Sequence, residues 1–240
     1  MTDAQLRIQA LIQSILRYFE AHHHSEPGVT LLLDKIASMD LHKNQLVDTV
    51  PQGTRHEAIL TNAIAGVTSS NLAEITTCLA TAKDDLVWRE DDALFYAPGA
   101  DLGQGYKDCN LHTVLIGPKA CGYIQPDFCM GLFMLAQHTL YRDHFHDAPE
   151  VYLNLSERTG WRFKPDTWQD YPAGSIVWNP PRRPHATRIY DYPFLSVFAW
   201  LEDIDAPCTV IPSNDWATIE NALSPNQPAK TVRKKSRNNS

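Results

Sequence analysis

From Leu86 to Trp200 the chain runs in short apolar or alternating stretches, each stopped by glycine, proline or aspartate. A helix does not persist through such punctuation, whereas strands of this length pair readily across the turns between them. Strands are expected at 86–89, 94–96, 111–116, 129–140, 150–155, 161–164, 175–178, 185–189 and 195–200, with turns at Pro98-Gly99, Gly117-Pro118, Arg158-Thr159-Gly160 and Pro172-Ala173-Gly174. A sheet of many short strands exposes edges unless it closes, and closing it into a barrel removes the edges and encloses a volume. An all-β barrel is therefore the expected core of the fold.

Before this region the pattern is helical. Ile8, Leu11, Ile12, Ile15 and Phe19 recur at helical spacing and form one apolar stripe. Such a stripe must be covered, either by the outside of the barrel or by a partner subunit, and the second choice would make a homodimer. Further helices are expected at 31–39, 56–65 and 72–82, the last capped by Ser69, Ser70 or Asn71. His22-His23-His24 falls at the expected end of the first helix, where neighbouring side chains do not face one another, so it reads as a solvated run and not as a metal site. The chain divides into a helical region 1–84, a barrel 85–206, an arm 207–229 lying across the barrel, and a tail 230–240. The tail carries five positive charges in the eight residues 230–237 and reads as a disordered, solvated end.

Composition narrows the partners. The 240 residues suffice for one full core, and a net charge of -7 argues against nucleic-acid binding, which needs a basic surface. No run approaches the length of a membrane span and the N-terminus does not read as a secretory signal, so neither a membrane partner nor export is expected and the cytoplasm is the expected compartment. Cys78, Cys109, Cys121, Cys129 and Cys208 are odd in number and lack metal-type spacing, which fits reduced thiols.

One stretch of the barrel half carries the chemistry: Tyr141-Arg142-Asp143-His144-Phe145-His146-Asp147-Ala148-Pro149-Glu150-Val151-Tyr152. Side chains alternate along a strand, so His144 and His146 project together, and a bend through Asp147-Ala148-Pro149 returns Glu150 to the same side. Two imidazoles and a carboxylate form part of a shell for one divalent transition metal ion, and zinc, iron, manganese, nickel and cobalt all accept such donors. His185, after the Pro-stiffened run Gly174 to Pro184, is the expected fourth ligand.

These offsets resemble the two motifs of the cupins, small double-stranded β-helix or jelly-roll barrels: His144, His146 and Glu150 in the first motif, Gly174, Pro180 and His185 in the second. Two positions where cupins usually carry glycine hold His138 and Arg182 here; both are turn positions, so they bear on loop shape and not on the metal. Tyr141 before the first motif and Tyr152 after Glu150 extend the likeness to the bacterial cupin-type dimethylsulfoniopropionate lyases. That resemblance covers roughly residues 88–201. It implies a carbon–sulfur lyase that cleaves a small-molecule substrate, dimethylsulfoniopropionate, to dimethyl sulfide and acrylate. It also implies that His144, His146, Glu150 and His185 hold the metal, Tyr141 is the general base and Tyr152 lines the site.

The residues fit that chemistry. A metal-bound carboxylate stabilises charge at the adjacent carbon, and a phenolate beside the metal is a competent base. No nucleotide or flavin motif occurs, and none is needed. The sulfonium end suits aromatic faces, for which Trp178 and Tyr123 are favoured among candidates that also include Trp88, Tyr96, Tyr106, Phe133, Trp161, Phe163 and Trp200. Arg142, Arg182 and Arg183 read as rim charges. Tyr141 is three residues before His144, out of phase in a regular strand, and reaches the metal only if the chain bends near Arg142-Asp143; Tyr152 is in phase without a bend. The alternatives are a cupin dioxygenase using iron and O₂ or another metal-dependent cupin enzyme acting on a small carboxylate and, less favoured, a non-catalytic cupin that binds a small ligand.

Overall fold

The first helix is set by its own cap. In the computed structural model, which describes residues 1–91, 95–97 and 99–225, the Thr2 hydroxyl accepts from the Gln5 amide (3.2 Å) while the Gln5 side chain accepts from the Thr2 amide (2.9 Å). From this capping box α1 (Asp3–Ala21) presents its expected stripe, with Leu11, Ile15 and Phe19 wholly buried. The stripe packs within the same chain, on α4 and the outer face of a β-sheet. The reason for expecting a partner subunit at this face is thereby removed. Helices α2 (Pro27–Ala37), α3 (Glu57–Ala65) and α4 (Ala73–Ala82) complete the layer. Pro27 opens α2, where its missing N–H costs nothing. No side chain caps α4; Leu72 is at that position, and Ser70–Leu72 form a 3₁₀ turn. A short α5 (Gln104–Asp108) leads into the barrel.

The barrel strands are β1 (Asn110–Gly117), β2 (Tyr123–Ile124), β3 (Cys129–Leu135), β4 (Leu140–Phe145), β5 (Glu150–Asn154), β6 (Arg158–Phe163), β7 (Gln169–Pro172), β8 (Ile176–Asn179), β9 (His185–Ile189), β10 (Phe194–Trp200) and β11 (Thr209–Val210), followed by α6 (Trp216–Leu223). They form two sheets, ordered β2-β1-β3-β10-β5-β8 and β11-β4-β9-β6-β7. This is the expected β-barrel, built from two sheets.

Several boundaries differ from expectation. The run 129–140 breaks into β3 and β4 because His138 adopts a left-handed conformation (φ 62°). Arg158 to Gly160 is the start of β6 and not a turn, and 86–89 makes isolated bridges only, to Gln52 and His112. Leu94, Pro98 and 226–240, including the basic tail, lie outside the described residues.

Two apolar layers follow from strand alternation. On β5, Val151 and Leu153 join the helices outside, whereas Tyr152 faces inward with Phe133, Phe194, Trp161 and Phe163 from both sheets. β5 is buried along its whole length, with Val151, Tyr152 and Leu153 between the buried polar residues Glu150 and Asn154. Among the described residues no helix is long and apolar enough to cross a membrane.

Candidate metal centre

Strand register decides which side chains enter the barrel. Glu150 pairs with Asn179 on β8 and with Trp200 on β10, and Tyr152 with Val177 and Phe198; directly opposed residues share a face, so all of these point inward. On the other sheet Tyr141 pairs with Thr187 and His144 with His185, so three steps along β4 match two along β9. The extra residue is a β-bulge at Arg142-Asp143, the bend that Tyr141 required to come into phase with His144.

The three expected histidine ligands meet at one point, and Glu150 stands beside two of them. Single ligand nitrogens of His144, His146 and His185 lie within 4.8 Å of one another. A Glu150 oxygen, Oε2, stands 3.1 Å from His146 Nε2 and 3.7 Å from His185 Nε2. None of the four is more than 3% exposed.

The backbone sets the tautomers. Nδ1 of His144, His146 and His185 sits 2.7, 2.8 and 2.9 Å from the carbonyl oxygens of Arg142, Ala148 and Arg183. A carbonyl only accepts, so each Nδ1 carries the hydrogen and each neutral ring turns a lone pair on Nε2 toward the common point. His185 Nε2 is buried without a hydrogen-bond partner. Such an atom is costly unless something else engages it, and a cation would. Glu150 is oriented as firmly, accepting from Asn179 Nδ2 (2.8 Å) and Trp200 Nε1 (2.6 Å).

Electrostatics agree with this donor set. Burial pushes His144 down to about 3, and burial together with the neighbouring imidazoles pushes His185 well below the usual histidine range, so both stay neutral as ligands must. Burial also opposes charge on His146 and Glu150, but their mutual attraction outweighs it, raising His146 and lowering Glu150. Three imidazoles and one carboxylate fit a divalent transition ion, and this set does not choose among zinc, iron, manganese, nickel and cobalt.

Beside Glu150 opens a cavity of about 300 Å³ whose wall includes Tyr96, Tyr106, Tyr141, Tyr152 and Trp200. The Tyr96 and Tyr141 hydroxyls are hydrogen-bonded to each other, Tyr106 stacks on Tyr141 at 4.9 Å, and Tyr106 donates to Asp91 (2.7 Å). Burial first, and then neighbouring acidic groups (the other phenols, and Glu150 for Tyr152), pushes all four phenols well above their ordinary value. For Tyr141 the bond to Tyr96 acts in the opposite sense, favouring the phenolate.

Other expected residues are elsewhere. Trp178 is opposite Val151, so alternation turns it out of the barrel, where a Cβ on Gly28 of α2 would strike its ring at 2.2 Å. Tyr123 lies in the layer beneath α1 and accepts a hydrogen bond from Gln9 (3.2 Å). Neither lines the cavity. Arg142 is no rim charge: its side chain is 13% exposed and paired with Asp101 and Glu220. Asn179 is a further residue of the site with no motif of its own; its one sequence signal is its place directly before Pro180 of the second motif, and it pairs opposite Glu150. Tyr96 and Tyr106 had no motif to mark them, since only folding brings them to Tyr141.

A family model described as dimethylsulfoniopropionate lyase matches residues 18–196. The dimethylsulfoniopropionate lyase DddQ of Ruegeria pomeroyi is 26% identical over 204 residues, covering 85% of this chain and 96% of that protein. The crystal structure of that DddQ superposes with a TM-score of 0.63 at 23% identity, over 87% of this chain and 97% of the other. A chain from the crystal structures of the DMSP lyases RdDddP and RnDddQII superposes with a TM-score of 0.67 at 15% identity, over 88% and 100%.

Proposed function

The chain belongs to the dimethylsulfoniopropionate lyase family, and from this premise we propose how its own residues carry the cleavage of dimethylsulfoniopropionate to dimethyl sulfide and acrylate. The observation that carries the proposal is the cluster of three inward histidine nitrogens against Glu150, which itself lines one cavity together with Tyr141 and Tyr152. His144, His146, His185 and Glu150 hold one divalent ion. When bound, that ion polarises the substrate carboxylate as a Lewis acid and favours the charged form of a nearby phenol.

Tyr141 Oη takes the proton from the carbon next to the carboxylate. The electron pair left behind forms the new carbon–carbon double bond as the bond to sulfur breaks. Dimethyl sulfide departs neutral, so the leaving group needs no acid. The Tyr96 hydroxyl is hydrogen-bonded to Tyr141 Oη and, once Tyr141 is the phenolate, donates to it and stabilises that charge. Tyr152, next to Glu150 on the same face of β5, orients the carboxylate end of the substrate. Phe95, Phe198 and Trp200, which line the cavity, take the place assigned in the sequence to Trp178 and Tyr123 and offer apolar faces to the sulfonium methyls.

On this reading the barrel of 85–206 is the catalytic unit, covered by 1–84 and crossed by the described part of the arm, residues 207–225. Five unpaired cysteines support a reducing compartment, the cytoplasm. The test is headspace detection of dimethyl sulfide, with acrylate in solution, from protein loaded in turn with each of the five metals, with and without oxygen. Both products under anaerobic conditions are expected. Absence of both with every metal overturns the lyase, and turnover that consumes O₂ favours the dioxygenase.

A further inference from the structure

The bulge that turns Tyr141 inward is held from outside the barrel. Arg142 and Asp143, its two residues, are each tied to the C-terminal segment. The Asp143 carboxylate, fully buried, accepts from Trp216 Nε1 (2.7 Å) and Arg162 Nη2 (2.6 Å) and pairs with Lys164 (3.3 Å). Arg162 in turn is held by Asp215 (2.5 Å). The Arg142 guanidinium forks onto Glu220 (2.8 and 3.1 Å), pairs with Asp101, and lies 4.6 Å over the Trp216 ring. The Ile211 amide donates to the Asp143 carbonyl (2.8 Å), extending the pairing of β11 along the edge of β4.

A bulge gives up ladder hydrogen bonds and persists where other contacts replace them. Here β11 and α6 supply the replacement, and they lie beyond residue 196, where the family match ends. The same peptide also orients a ligand, because the Arg142 carbonyl holds His144 Nδ1. Removing a donor from a buried carboxylate leaves a charge that must find a new partner, and the strand that carries it shifts to provide one.

We propose that the segment from Thr209 to Leu223 is a positioning element for the reaction: Trp216, Asp215 and Glu220 hold the bulge at Arg142-Asp143 and thereby set where Tyr141 stands over the cavity. This rests on the reading of Tyr141 as the base. Trp216 and Glu220 touch no reacting atom; they act through β4, and their effect on the rate passes through Tyr141.

The experiment is a double-mutant cycle with Trp216→Phe, which keeps the ring beneath Arg142 and loses the N–H, and Glu220→Gln. Each is made alone and with Tyr141→Phe. In protein of full metal content, each single variant should lower kcat about tenfold with KM within about twofold of wild type, since small misplacements of a base are costly. In the Tyr141→Phe background the same changes should cost less than about twofold, because the residue they position no longer acts. Wild-type kcat in both single variants overturns the proposal, as does an undiminished loss in the Tyr141→Phe background. The second measurement needs no turnover: ¹³Cζ-tyrosine NMR of the metal-free variants should show the Tyr141 resonance displaced and that of Tyr152 unmoved. An unmoved Tyr141 resonance overturns the proposal even if the wild-type protein makes no dimethyl sulfide, a result that by itself counts against the lyase reading alone. If Trp216→Phe does not fold, Glu220→Gln decides both measurements.

Discussion

Tyr141 and His144 are three residues apart in sequence and share the interior face of the barrel, their ring centroids 4.3 Å from each other. In an unbroken strand they would point to opposite faces. One extra residue in β4 reverses that phase and places a phenol next to an imidazole of the proposed metal shell.

The two tyrosines should therefore separate by kinetics. Tyr141→Phe removes the basic oxygen and little volume, and kcat should fall by about 10²–10⁴-fold with metal and substrate still bound. Tyr152→Phe should raise KM or weaken metal binding along with any loss of rate. Exchange of the substrate α-proton with deuterated solvent checks the assignment. Normal exchange in the Tyr141 variant, with loss of it in the Tyr152 variant, would make Tyr152 the base.

Asn179 and Trp200 hold the two oxygens of Glu150 from opposite strands. Asn179→Ala should weaken metal binding by about 10–100-fold while the barrel remains folded, the usual cost of losing a group that orients a ligand. Metal titration of the purified variant measures this, and wild-type affinity would show that Glu150 is held well enough by Trp200 alone.

His112, on β1 at the cavity wall, is pushed below the ordinary histidine value by burial, with Asp91 acting against this and Arg89 adding to it. A depressed folded value means that the unfolded chain takes up a proton which the folded one resists. The stability it contributes is thus fully present above the unfolded pKa of about 6.5 and is lost as pH falls below it, at no more than about 1.4 kcal/mol per pH unit. Urea midpoints of metal-free protein should fall less steeply with acidification in His112→Phe than in wild type, and parallel curves would remove His112 from the acid limb.

His138 and Arg182 hold left-handed backbone (φ 62° and 63°) at the two positions where cupins usually carry glycine. A side chain in this region costs about 1–2 kcal/mol, and glycine gives back about 0.5–1 of that through its larger unfolded-state entropy. Arg182→Gly keeps the amide bond to the His146 carbonyl (2.8 Å) and gives up only an exposed ion pair at 3.5 Å to Asp147. It should raise the Tm by about 1–4 °C. A thermal melt that shows a decrease would mean that the side chain matters more than the turn.

Much of the site was legible because its geometry is local. Period-two alternation puts His144 with His146 and Glu150 with Tyr152, and the resemblance to the two cupin motifs joins the pairs and adds His185, so spacing and resemblance together give the expected donor set. The helical stripe of α1 was equally plain, since a single element carries the whole pattern. Register and packing decided the rest. Tyr141 enters the barrel through a bulge, which a linear pattern does not announce. Trp178 leaves it because its partner is Val151 and not Glu150, and Tyr123 is covered by α1. Tyr96 meets Tyr141 across 45 residues of chain, and Trp216 reaches Asp143 across 73. Such contacts depend on which strands become neighbours, a property of the whole sheet that no short stretch of sequence contains.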